Sequence, residues 1–168
     1  LRQRAAGRAK KKRHAAALAL AAAIGAALAI AWPREQFVPA SSPAAWASTS
    51  ANVARGAYLA RAGDCMACHT ARGGAPYAGG RSIETPFGRV SAPNITPDPE
   101  TGIGQWSADD FWNALHNGKS RDGRLLYPAF PYPNYTRVTR ADSDALFAFL
   151  RTVPAQRRDS EQHRLRFP

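Results

Sequence analysis

The sequence predicts a small all-α domain that relies on an internal staple, preceded by one separate apolar helix. Three observations lead there. Three helical patterns, each with its own start or stop signals, lie between residues 52 and 153. The spans between them, 70–106 and 118–138, are rich in Gly and Pro and show little strand alternation. Residues 15–32 carry no charge at all. The 168 residues allow one ordinary domain with extensions, and 45% apolar residues suffice for a core. A domain of roughly 100 residues with so much irregular chain needs a cross-link inside it.

The chain starts with a basic arm, residues 1–14, holding seven Lys and Arg and no acid. Residues 15–32 come next, and as a helix they span about 27 Å, close to the ~30 Å hydrocarbon layer of a bilayer. Trp32 stands where an interfacial aromatic belongs, and the arm would stay cytoplasmic by the positive-inside rule. Three readings compete: an uncleaved signal anchor, a signal peptide cut after Ala29-Ile-Ala31 or Ala45-Trp-Ala47, and a buried Ala-rich helix. Length and flanks favour the anchor. Both export readings place the rest of the chain across the membrane.

Residues 33–51, with Pro33, Pro39 and Pro43, read as a linker, and residues 154–168 as a tail. Between them the first helix is expected over Val53–Gly63, with Val53, Ala57, Leu59 and Ala60 on its apolar face. The second starts at Ser107, with Asp110 completing a capping box, and ends at Asn117-Gly118. The third starts at Thr139, again with an acid three residues on, and buries Leu146, Phe149 and Leu150 before Pro154. The net charge of +11 sits in the tails, since residues 52–150 carry ten basic and nine acidic groups. A nucleic-acid surface concentrates its charge on the folded part, so no nucleic-acid partner is expected.

The chemistry lies at Cys65-Met-Ala-Cys-His69. Two thiols three positions apart face one side of a helical turn and match the two vinyl groups of a haem. The next residue sets an imidazole under the iron. A zinc site needs four ligands, yet the chain has two Cys, and no His lies between His69 and His116. A thioredoxin-type dithiol would follow a strand, whereas a helix precedes this motif. Haem c, one per chain, is therefore the expected cofactor, with Cys65 and Cys68 as thioethers and His69 as proximal ligand. No Ser-His-Asp arrangement or phosphate-cradling Gly loop is evident.

Around this motif the domain resembles a class I cytochrome c. More narrowly, it resembles the first haem domain of membrane-anchored cytochrome subunits of periplasmic alcohol, aldehyde and nicotinate-type dehydrogenases. The carrying segments are Arg55–His69, Thr85-Pro-Phe-Gly88, Ala92-Pro-Asn-Ile-Thr-Pro running on to Gly104, Trp106–Phe111, Arg121-Asp-Gly123 and Leu126–Tyr132. The resemblance implies that the Pro93 carbonyl accepts the His69 Nδ1 proton, although a proline there also simply turns the chain. It implies that Gly56 and Tyr58 let the first helix cross the last at Leu146 and Phe149. Ile95, Ile103 and Trp106 either line the haem or belong to the ordinary core.

One departure concerns the sixth ligand. Many relatives carry Met at the fourth position of the segment that starts here at Tyr127, and this chain has Phe130. Its only Met is Met66, held between the two tethering cysteines. His116 is the nearest candidate ligand, though a His beside Asn-Gly also suits a solvated last turn. Lys119, Tyr127, Tyr132 and an open site are the alternatives. Loss of a Met/His pair lowers the reduction potential.

The resemblance implies an electron carrier on the periplasmic side of the inner membrane, held there by residues 15–32, without turnover of its own. A molybdopterin or quinoprotein dehydrogenase subunit would be the donor, and quinone, another cytochrome or an oxidase the acceptor. The competing function is a haem-based ligand binder or peroxidase-like site, motivated by the missing Met. The tail, from Val153-Pro-Ala-Gln to Leu165-Arg-Phe-Pro168, resembles the connector to a further haem domain.

Overall fold

The computed structural model describes residues 2–31, 38–39 and 46–166. Trp32, Pro33, Pro43, Ala45 and Pro168, which the sequence singled out, lie outside the described residues. The chain divides into two units, Leu1–Glu35 and Gln36–Pro168. The first contains helix α1, Arg2–Ala31. Its apolar side chains are exposed, Leu18 at 71% and Ile30 at 79%. The membrane span expected over residues 15–32 is not borne out, since among the described residues no helix is long and apolar enough to cross a membrane.

The second unit is helical with a small sheet. Helix α2 covers Ser50–Ala62, starting earlier than its apolar pattern because Thr49 caps it and accepts from the Asn52 N–H. After the short α3, Cys65–His69, come strands β1, Ser82–Thr85, and β2, Gly88–Ser91. Helix α4 spans Ala108–Asn117, α5 Tyr132–Tyr135 and α6 Arg140–Leu150, and a last strand, β3, is Arg164–Leu165. The capping box of Ser107 and Asp110 is present, and Gly118 stops α4 in the left-handed region at φ 59°. Thr139 caps α6 and accepts from the Asp142 N–H.

The all-α expectation needs correction, since the three strands form one antiparallel sheet in the order β1-β2-β3. Each hairpin strand is four residues long and offers a single large apolar side chain, Ile83 paired with Val90, so alternation had little to register. Local chemistry makes the turn. The Thr85 hydroxyl donates to Gly88 O at 2.7 Å and accepts from Phe87 N–H at 3.2 Å. The tail returns to this sheet, where Arg164 and Leu165 pair with Arg89 and Gly88. The linker is also tied down at two described points. Trp46 packs edge-on against Phe147 at 6.0 Å, and Pro39 O accepts from Arg140 at 2.8 Å.

The core lies between α2, α4 and α6, with Ala60, Ile103, Phe111, Leu115, Leu146, Phe147 and Leu150 buried. Phe149, expected inside, is only half-buried. Helices α2 and α6 cross at Gly56, where a β-carbon would collide with the Ala145 carbonyl oxygen and come within 2.6 Å of Phe149 Cβ. Tyr58 takes no part in this crossing and is 65% exposed. Two residues turn a helix by about 200°, which puts positions 56 and 58 on opposite faces. Gly56→Ala is expected to lower unfolding stability by about 2–3 kcal/mol, measured by urea titration of the haem-loaded protein, because backbone must shift to admit the methyl group.

Candidate haem site

The cysteine motif begins at a sharp turn out of α2. Asp64 adopts the left-handed region (φ 50°, ψ 38°), which Asp tolerates better than most residues. Its carbonyl accepts from Ala67 N–H at 3.0 Å and starts α3. Cys65 and Cys68 both hold free thiols, Cys65 half-buried and Cys68 exposed. Burial pushes the Cys65 thiol up, with neighbouring Asp64 and Cys68 adding to the rise against its backbone hydrogen bond.

His69 ends α3, half-buried. Its Nδ1 lies 2.8 Å from Pro93 O. A carbonyl only accepts, so Nδ1 carries the proton and the lone pair is left on Nε2. Nε2 has no partner among the described residues. Burial lowers the ring's pKa, and the Pro93 carbonyl opposes that fall. The neutral form is the one that binds iron.

Both ends of this hydrogen bond are braced by Gly79. Its N–H donates to His69 O at 2.8 Å, and its carbonyl accepts from Ala71 N–H at 3.1 Å. At φ +73° it lies so close to Pro93 that a β-carbon would stand 2.5 Å from the Pro93 carbonyl carbon and 2.6 Å from its oxygen. Gly79→Ala is expected to cost about 2 kcal/mol or more in urea unfolding, since the nearby atoms are backbone and cannot swing aside.

Four half-buried apolar residues, Ile95, Trp106, Phe130 and Tyr135, pack on the same core cluster as Cys65. Ile103 is a full core residue at 3% exposure. Two tyrosines near the cysteines carry no signal in the sequence. Tyr77 is 5% exposed, has φ 62° and meets Phe149 edge-on at 5.7 Å. Tyr135 stacks on Phe130 at 5.2 Å and donates to Gly63 O at 2.9 Å, so it ties the Phe130 loop to the turn before Cys65. Burial raises both phenols, with Cys65 adding to each. A positive φ at a tyrosine leaves no trace in sequence pattern. The pair Gly79-Gly80 did offer a signal of close backbone approach.

The structure corrects the solvated last-turn reading of His116. It is 3% exposed and stacks on Trp112 at 3.3 Å. Its Nδ1 faces Trp112 O at 3.2 Å and its Nε2 faces Val138 O at 2.8 Å. With each nitrogen aimed at a carbonyl, neither presents a lone pair to a metal. Arg140 lies over the other partner in this stack, 5.7 Å from the Trp112 ring, and pairs with the buried Asp144 at 3.0 Å. Phe130 offers only a hydrocarbon ring.

These residues fit a haem. Two free thiols sit on one helical turn, an imidazole of fixed tautomer comes next, and half-buried apolar side chains adjoin them. The cytochrome c family pattern matches residues 53–154. The chain belongs to the cytochrome c family. It is 45% identical over 154 residues to a nicotinate dehydrogenase subunit from Pseudomonas putida, covering 89% of this chain and 13% of that one. To the cytochrome c subunit of gluconate 2-dehydrogenase from Pantoea cypripedii it is 52% identical, over 63% of this chain and 25% of that one. To the cytochrome c subunit of a quinone-type alcohol dehydrogenase from Gluconacetobacter polyoxogenes it is 51% identical, over 60% and 21% respectively. The chain thus spans a quarter or less of the length of these relatives. This cytochrome c domain carries one covalently bound haem c and transfers electrons through it.

Proposed function

We propose that the domain is the electron-carrying part of a dehydrogenase complex, held at the outer face of the inner membrane. Cys65 and Cys68 form the thioethers, and His69 Nε2 is the proximal ligand. Pro93 fixes the His69 tautomer, and Ile95 and Trp106 shield the haem edge from water. The bound haem supplies one-electron exchange between ferric and ferrous iron. The protein's part is to hold that group rigidly and to control its polarity and access. The observation that carries the reading is the 2.8 Å contact of His69 Nδ1 with Pro93 O, one residue past the second free cysteine.

The relatives support a dehydrogenase partner and favour electron transfer over ligand binding; a molybdopterin or quinoprotein subunit is the donor we propose. Quinone, another cytochrome or an oxidase would take the electrons on. Anchoring by residues 15–32 is supported by the continuous α1, its uncharged run after seven basic residues, and the exposure of Leu18, Leu20, Ile24, Leu28 and Ile30.

The test is isolation of the tagged chain from native membranes with its partners, followed by addition of nicotinate, gluconate or a primary alcohol. The ferrous haem bands should grow on addition of one of these substrates. A chain that emerges in the carbonate-washed soluble fraction, alone and unreduced by all three, contradicts the proposal.

A further inference from the structure

The hydrogen bond between His69 and Pro93 is supported from behind by the tail. Pro93 leads directly into Asn94, which is 4% exposed. Asn94 Oδ1 accepts from the Thr96 N–H at 2.9 Å and from its hydroxyl at 2.8 Å, closing the turn on itself. Asn94 Nδ2 donates to Thr101 Oγ1 at 3.0 Å and to the main-chain carbonyl of Gln156 at 2.6 Å. The Gln156 N–H in turn donates to Thr96 Oγ1 at 3.2 Å, and the Arg158 N–H to Thr101 Oγ1 at 3.0 Å. The Arg158 guanidinium lies against Gly80, in space that a β-carbon would fill, and Gly80 N–H donates to Ala92 O at 2.8 Å.

We propose that residues 155–158 are a strap that holds the Pro93 carbonyl on His69 through Asn94, which makes Asn94, Thr96 and Thr101 positioning residues for the proximal ligand. The buried amide of Asn94 has all its hydrogen-bonding groups engaged, so the Pro93–Asn94 peptide cannot tilt without breaking one of them. A buried polar group left unpaired is costly, which keeps the carbonyl in place. Cutting the strap frees the turn, lengthens the Nδ1–H···O contact and weakens the donor strength of Nε2 toward iron. Ferric iron depends on that donation more than ferrous iron, so the reduction potential rises.

The test uses the full-length haem-loaded protein with Thr96→Val and, separately, Thr101→Val, both neutral and close in shape. Thr101→Val leaves the Asn94–Thr96 turn intact and carries the test if Thr96→Val does not fold. In each variant the reduction potential should rise above that of the unaltered protein. In the reduced state the His69 ring Nδ1 proton should exchange with solvent about tenfold faster, as for a lost hydrogen bond. An unmoved potential and an unmoved ring proton, even with a lower unfolding midpoint, would overturn the proposal. The inference rests on ligation by His69. Failure of that reading is separable, because the unaltered protein would then lack ring-current-shifted His69 resonances, whereas failure of the strap leaves them present and unchanged in both variants.

Discussion

A Cys65→Ser, Cys68→Ser double variant is expected to leave a maturation-competent host with no covalently attached haem. All pigment in the variant should pass into acidified acetone, and none from the unaltered protein. The effect is all-or-none because the two thiols are the only cysteines in the chain. They stand three apart on a single turn, fixed by the left-handed Asp64 and its carbonyl bond to Ala67. Serine keeps the size and the helix but forms no thioether. What remains is one imidazole, and a single axial bond does not survive acid. With its staple gone, a domain this rich in Gly and Pro is expected to unfold at much lower urea as well.

The second large effect concerns Phe130. Phe130→Met is expected to raise the reduction potential by on the order of 0.1 V, read by redox titration, because a thioether ligand favours ferrous iron. The loop is already close at hand. Phe130 packs on the same core cluster as Cys65, and its stacking partner Tyr135 is hydrogen-bonded to Gly63. Met is flexible enough to fill the space of the ring and still turn its sulfur outward. A potential unchanged by this substitution means that residue 130 does not reach the iron.

Those features that depend on neighbours in sequence are legible in the sequence itself. Ser107 with Asp110, Thr139 with Asp142, and the stop at Gly118 are all i to i+3 or chain-end chemistry, and each is where its residues predict. The Cys-x-x-Cys-His turn belongs to the same class. What escaped is set by distant partners. His116 looks like a surface residue of a last turn, yet the Val138 carbonyl reaches its Nε2 from beyond the helix, and the Trp112 ring one turn back in α4 covers its face. Tyr58 matches a family position for a helix crossing, yet the close approach is at Gly56 and Tyr58 is exposed. The hairpin offers too few apolar residues to register, and the tail, polar and Arg-rich, gives no sign of pairing with β2. Its bonds to Asn94 and Thr96 join residues about sixty apart in sequence.

One haem joined to this polypeptide through both cysteines underlies every functional statement made of the domain. Intact-mass spectrometry of the denatured protein, after treatment with a thiol-alkylating reagent, tests that directly. The mass of the chain plus a single haem, with no alkyl group added, is the predicted result. A chain of bare polypeptide mass carrying two alkyl groups would contradict it.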